Sequence, residues 1–342
     1  MPWPLLYDIA KESGANGEQL KIIETLRQHN PCIEDAPWVE ANGGTFHEML
    51  TDSNLPAGTW REINKGVPTE VGSTEKVTES IGMLCSYFEA DRSMVRKQAN
   101  PAAYLTGKES QHIRGMSNSI ASCMFYGNPH AAFTINNAVV APNSKKFYGL
   151  APRYNATSGN ANVKINEAMS GEHDGTSIYV VQWGIDRVFM IYPRGGKPGL
   201  ARTDLGNVTL DDADGNHFEG RRVYYEFEGG LAIGDTRCVK RLANIDSDLT
   251  LATWISSGAE GSLIQLLNDL PDDGEGAVIY CSSYAKTLMD IRASDEAKGF
   301  RYGDPNKAWG TGPVTYFHGF PIRKCGAIAV STGANVGEEV IA

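Results

Sequence analysis

The stretch Lys146-Phe147-Tyr148-Gly149-Leu150-Ala151-Pro152-Arg153-Tyr154 decides how this chain is read. It holds no nucleophile beside a general base and no cluster of metal ligands, so it makes no sense as an active site. Upstream of it, Phe125-Tyr126-Gly127-Asn128 closes the strongest helical pattern in the sequence. Leu105, Ile113, Met116, Ile120 and Met124 recur at helical spacing, with Ala102 at the start of the stripe. Pro101 suits the first turn, Asn100 the cap, and Gly127-Asn128-Pro129 the end. A helix is expected over 101–126, its stripe facing a core. Gly107 and Gly115 weaken it by about 1 kcal/mol each and are expected where another backbone comes close.

Toward the N-terminus, residues 1–44 read as an arm. An amphipathic helix is expected from Glu18 to His29, with Leu20, Ile23 and Leu26 on one stripe, Ile22 beside it, and Asn30-Pro31 as its stop. Pro37 to Gly44 is extended and rich in breakers. Residues 45–90 read as β structure. Strands are expected at Thr45–Thr51 and Thr59–Asn64 around a turn cluster, followed by a polar run from Lys65 to Ser80 and an apolar one from Ile81 to Ala90. Such a polar two-stranded excursion is marginal alone and gains support by lying across a neighbour.

Toward the C-terminus, residues 129–174 are irregular. Strands are expected at Ser177–Trp183 and Arg187–Tyr192, with a link short enough for a hairpin. Further strands fit Val208–Leu210 and Arg221–Phe227, joined through Asp214-Gly215-Asn216. A helix over Ala259–Leu270 places Leu263, Leu266, Leu267 and Leu270 on one face. A strand at Ala277–Cys281 precedes a second helix, Ser283–Ala293, capped by Ser282 or Ser283, with Leu288 and Ile291 inward. Val314–Phe320 and Ile322–Val330 read as strands interrupted by Gly319 and Pro321. Helices and strands interleave without a βαβ rhythm, which makes the class α+β.

Composition sets the limits on chemistry. The 342 residues are 41% hydrophobic and 21% charged, an ordinary globular balance, and the net charge is −10. That balance argues against gripping a phosphate backbone, which needs clustered Lys and Arg, but not against enclosing DNA. Met1-Pro2-Trp3-Pro4 has no signal-peptide pattern, and no apolar run nears the roughly 20 residues of a membrane span, so synthesis in the cytoplasm and no membrane partner are expected. The six cysteines are scattered and read as reduced thiols. Gly195-Gly196-Lys197-Pro198 lacks the spacing of a phosphate loop, and Asp211-Asp212-Ala213-Asp214-Gly215 has Arg221 where a calcium loop needs Glu. No cofactor, no metal and no enzymatic activity are expected.

A set of short motifs spread over roughly three hundred residues gives the chain a family resemblance. These are Pro37-Trp38, Glu40-Ala41-Asn42-Gly43, Thr45-Phe46-His47, Leu55-Pro56 and Thr59-Trp60-Arg61. The FYGN helix end and the KFYGLAPRY stretch follow. Further along come Thr176-Ser177-Ile178-Tyr179, Ile191-Tyr192-Pro193, Ala243-Asn244-Ile245-Asp246 and Tyr316-Phe317-His318-Gly319-Phe320-Pro321. In their order the chain resembles the major capsid proteins of short-tailed double-stranded DNA phages of the epsilon-fifteen type.

The resemblance implies the Hong Kong 97-type capsid fold: an N-terminal arm (1–44), an extended β loop (45–90), a peripheral domain (91–174) with its spine helix (101–126), an axial domain (175–330) with strands returning to the peripheral domain, and a tail (331–342). It implies self-assembly as hexamers and pentamers into an icosahedral virion shell around packaged double-stranded DNA, with portal, scaffold and decoration or cement proteins as partners. The segment 129–143 looks like a surface insertion. Lys65 and Lys76 lie on the β loop, and no covalent crosslink is assigned to them. Trp38, Trp60 and Arg61 are the expected inter-subunit anchors, because aromatic and Arg side chains dominate buried contacts. An encapsulin-like compartment shell and an unrecognised cytoplasmic enzyme are the alternative readings.

Overall fold

The computed structural model describes residues 30–54, 56–97, 101–130, 133–135, 138–140, 142–157, 160–166, 175–211, 215–246, 250–294, 300–302 and 315–330. The helix expected at 18–29, the Asn100 cap, Asp212 to Asp214 and the 331–342 tail lie outside these. In chain order the strands are β1 Trp38–Glu40, β2 Phe46–Asn54, β3 Ser73–Ser80, β4 Gly82–Asp91, β5 Phe133–Ile135, β6 Ala138–Val140, β7 Val163–Ile165 and β8 Gly175–Gln182. Then come β9 Val188–Tyr192, β10 Leu200–Asp211, β11 His217–Ile233, β12 Val239–Asp246, β13 Ala277–Cys281, β14 Phe300–Tyr302, β15 Thr315–Phe317 and β16 Phe320–Lys324.

A mixed seven-stranded sheet runs β14-β15-β16-β13-β8-β12-β7. Its central strands β8, β12 and β13 are buried at every position. Side chains alternate across a strand, so this requires cover on both faces. Ile178, Val180 and Ile279 face Leu263, Leu266 and Leu288 of the helices Ala259–Asn268 and Ser283–Ser294. Tyr179, Val181 and Tyr280 belong to the opposite layer, with Ile120, Met124 and Phe125 of the long helix Pro101–Tyr126.

The second sheet is organised by β11. Its first part pairs with β10 and β4, and from Gly230 it pairs with β9, which carries β1 in parallel. Val223 and Tyr225 of β11 pack on Ile113 and Met116 of the long helix. Glu109 of that helix pairs with Arg202 on β10 and accepts the Tyr225 hydroxyl at 2.9 Å. One helix therefore packs on both sheets, its middle turns on the first part of β11 and its last turns on β8. The strands β2 and β3 form a separate two-stranded ribbon.

The long helix and the expected stripe agree with the sequence reading, although Ala102 is exposed. Among the described residues nothing lies within 4 Å of a Cβ placed on Gly107 or Gly115, so no backbone of theirs approaches there. Strands β8 and β9 do not form a hairpin. They enter different sheets and share one bridge, Trp183 with Val188. Thr59–Asn64 is not a strand and pairs with none among the described residues; β2 pairs instead with β3, inside the run read as merely polar. Ile291 is exposed, and Met289 takes the inward position beside Leu288. The break near the C-terminus is at His318-Gly319, both with positive φ, while Pro321 sits within β16. Residues 30–41, read as part of the arm, pack into their own chain: Cys32, Ile33, Ala36, Trp38 and Ala41 are buried. The 129–143 segment contains the small hairpin of β5 and β6.

Candidate assembly surface

The two aromatic-aromatic-glycine tripeptides singled out by sequence cross each other. The Gly149 amide donates to the Gly127 carbonyl at 2.8 Å. A Cβ on Gly127 would lie 2.2 Å from the Phe147 carbonyl oxygen, and one on Gly149 2.7 Å from that of Cys123. Neither position admits a side chain, because the obstacle is backbone. Phe125 and Phe147 are buried on either side of the crossing. Arg241 of β12 donates to the carbonyls of Ala151 (3.2 Å) and Tyr154 (2.7 Å) and to Ser177 Oγ (3.1 Å), which fixes the stretch to the seven-stranded sheet.

Arg153 carries this knot to the ribbon. Its guanidinium lies 4.2 Å from the centre of the Tyr148 ring, donates to the carbonyls of Tyr148 and Leu231, and pairs with both carboxylate oxygens of Glu79. Glu79, near the end of β3, is buried. Ile81 donates to the Thr45 carbonyl and closes the ribbon's root. Met49 and Ile81 pack on Phe189, Ile191 and Ala232, and His47 meets the Phe189 ring edge-on at 5.7 Å. Burial pushes the His47 imidazole below its ordinary range, and the nearby Glu79 opposes that shift.

Beyond β2 and β3 the tip, residues 56–72, is exposed throughout. Trp60, Ile63 and Val71 of the tip, and Leu50 of β2, stand largely in solvent. The tip is nonetheless tied across itself. Glu70 accepts from the Gly58 amide and from the Thr59 hydroxyl, each at 2.9 Å. These contacts hold its carboxyl below the ordinary range, the Gly58 amide contributing most. Lys65 pairs with Glu62, and Lys76 with Glu48.

Trp60 and Arg61 therefore share one exposed surface. Trp38 does not: it is buried in its own chain, edge-on to Phe227 with centroids 6.0 Å apart. Ile63 and Leu50 belong with Trp60 and were missed. Their signal was apolar residues inside an otherwise polar stretch. The glycine loop after β9 is filled by the chain's own Glu40, whose carboxylate accepts the Gly195 amide at 2.7 Å. Asp211 pairs with His217. Among the described residues no group of three His, Cys, Asp or Glu side chains is placed to hold a metal ion, and no helix is long and apolar enough to cross a membrane.

A packed core that projects an apolar-tipped ribbon fits a subunit that touches copies of itself. A family model described as major capsid protein GP7 matches residues 14–336. The chain belongs to this major capsid protein family. Similar solved structures include that of bacteriophage Epsilon15, with 23% identity over 90% of this chain and 88% of that one, at a TM-score of 0.62. Another is the bacteriophage JBD30 capsid, with 7% identity over 85% and 88% and a TM-score of 0.45. The SrpI encapsulin of Synechococcus elongatus matches at 10% identity over 63% and 86%, with a TM-score of 0.36. The comparison with curated proteins returned no match. The fold is the Hong Kong 97-type capsid fold, and the chain is a structural shell protein of the virion capsid that associates with itself.

Proposed function

We propose that this capsid protein assembles as hexamers and pentamers into a closed icosahedral shell around packaged double-stranded DNA, and that the β-loop tip reaches a neighbouring subunit with Trp60 and Arg61 as anchors. The observation that carries this reading is the contrast within the ribbon. Its root is clamped by Arg153 and Glu79, while Leu50, Trp60, Ile63 and Val71 are left in water. A standard interface buries about 1,600 Å² in total, and a closed shell repeats modest contacts many times. The acidic chain encloses DNA without binding its sequence.

The division into arm, β loop (45–90), peripheral domain (91–174) and axial domain (175–330) follows from the same reading, with the packed residues 30–41 counted with the core rather than with the arm. Portal, scaffold and decoration or cement proteins are the further partners, and the β5–β6 hairpin is the place offered to a decoration protein. Synthesis takes place in the host cytoplasm. Negative-stain electron microscopy of the purified protein after a sizing column tests the proposal. Closed shells, or rings of five and six subunits, are expected. Small discrete particles in every condition, including with phage-infected extract, would overturn it.

A further inference from the structure

Two thiols join the ends of the described core. Cys32 lies in the short helix Pro31–Asp35 and Cys325 just past β16, and their sulfurs are 3.8 Å apart across 293 residues of sequence. Both are buried. The backbones that carry them are braced. The Cys325 amide donates to the Cys281 carbonyl at 2.9 Å. On the other side Asp35 pairs with Arg323 at 2.8 Å and accepts the Tyr280 hydroxyl, which in turn accepts from Trp183 Nε1 at 2.9 Å. The two segments are thus held face to face by contacts that do not involve the sulfurs. The remaining gap to a disulfide, whose sulfurs sit ~2.05 Å apart, is about 1.8 Å, within reach of small side-chain and backbone shifts.

We propose that Cys32 and Cys325 are a redox clasp: thiols in the reducing cell, a disulfide once a two-electron oxidant of the hydrogen peroxide class reaches the particle. The Cys325 thiolate attacks one peroxide oxygen. The O–O bond breaks, hydroxide leaves and is protonated to water, and a sulfenic acid forms. Cys32 then loses its proton and attacks that sulfur. The S–S bond forms and the sulfenic oxygen departs as a second water. In sum two thiols and one peroxide give one disulfide and two waters. The order follows from the contact itself: the Cys32 thiol, hydrogen-bonded to Cys325, holds the latter below the ordinary thiol range. The bond closes nearly the whole chain into a ring, and long rings restrict the unfolded chain most. Cys85, an exposed free thiol, is the internal control.

The inference rests on this chain's own packing and holds for free subunit and shell alike. Purified wild-type protein is treated with hydrogen peroxide, alkylated under denaturing conditions, digested with trypsin without reduction and analysed by mass spectrometry. The expected product is a peptide carrying Cys32 joined to the one that begins at Cys325, lost on reduction, with a higher thermal unfolding midpoint than the reduced sample. Cys32→Ser and Cys325→Ser should each abolish both the linkage and the shift. The wild-type linkage stands as a test even if a variant fails to fold. Both thiols recovered alkylated or as separate sulfinic acids, while Cys85 is oxidised, would overturn the proposal. So would a linkage that leaves the midpoint unmoved.

Discussion

The root and the tip of the β loop are one ribbon under two regimes. At the root, Met49 and Ile81 pack on the chain's own β9, and a carboxylate as buried as Glu79 is matched by a guanidinium 74 residues away. At the tip, Trp60 and Ile63 are as apolar as anything at the root and are covered by none of the described residues. Burying such side chains is worth about 1.5–3 kcal/mol each, so a fold that forgoes it has placed that gain outside the single chain. On the proposed function, subunit stability and assembly are written into separate residues, with contacts at the root serving folding and those at the tip serving association.

Substitutions can break that separation, and their effects on the folded subunit should fall in order. Gly127→Ala drives a methyl into the Phe147 carbonyl and should destabilise the subunit by about 3 kcal/mol or more, read from urea unfolding; a wild-type midpoint would dissolve the crossing. Glu79→Ala leaves the largely buried Arg153 without its carboxylate and should cost about 3 kcal/mol in the same assay. Replacing both partners, Glu79→Leu with Arg153→Met, should recover most of that loss, and no recovery would place the energy elsewhere in the root. Trp60→Ala should change subunit stability by less than about 0.5 kcal/mol yet sharply reduce particle yield in electron microscopy. Unchanged yield would remove the tip's role. The smallest effect concerns Glu70. A carboxylate held below its ordinary range supports structure above its unfolded value and loses that support as pH falls through the folded one. The Gly58 amide resonance should therefore titrate with a midpoint below that of an ordinary glutamate, and a midpoint at or above it would untie the tip.

Much of the scaffold was legible because its elements are long and periodic. The helix Pro101–Tyr126, the leucine face of Ala259–Asn268 and the uniform strand Ala277–Cys281 follow from spacing alone. Strand β12 was missed because Lys240 and Arg241 interrupt its apolar run. Both are buried in the structure, where Asn162 accepts from Lys240 and the carbonyls of Ala151 and Tyr154 accept from Arg241. The short link between β8 and β9 carries ordinary turn chemistry, and turn chemistry does not say which sheet the next strand will join. The site was half legible. Residue type marks tryptophans as anchors but cannot separate Trp38, which finds Phe227 far along the chain, from Trp60, which finds nothing. The Arg153–Glu79 clamp was invisible because only the fold brings its partners together. The repeated Phe-Tyr-Gly was the one available hint that two backbones cross.

The seam between root and tip also bears on inheritance. Between β2 and β3 the described residues, 56–72, contribute no buried side chain to the core. That interval can be rewritten, or exchanged with a relative's by recombination, while the machinery that folds the subunit stays the same. On the proposed role of the tip, two lineages replicating in one cell can thereby diverge in which copies they recognise, and keep their shells unmixed, before their cores have diverged at all.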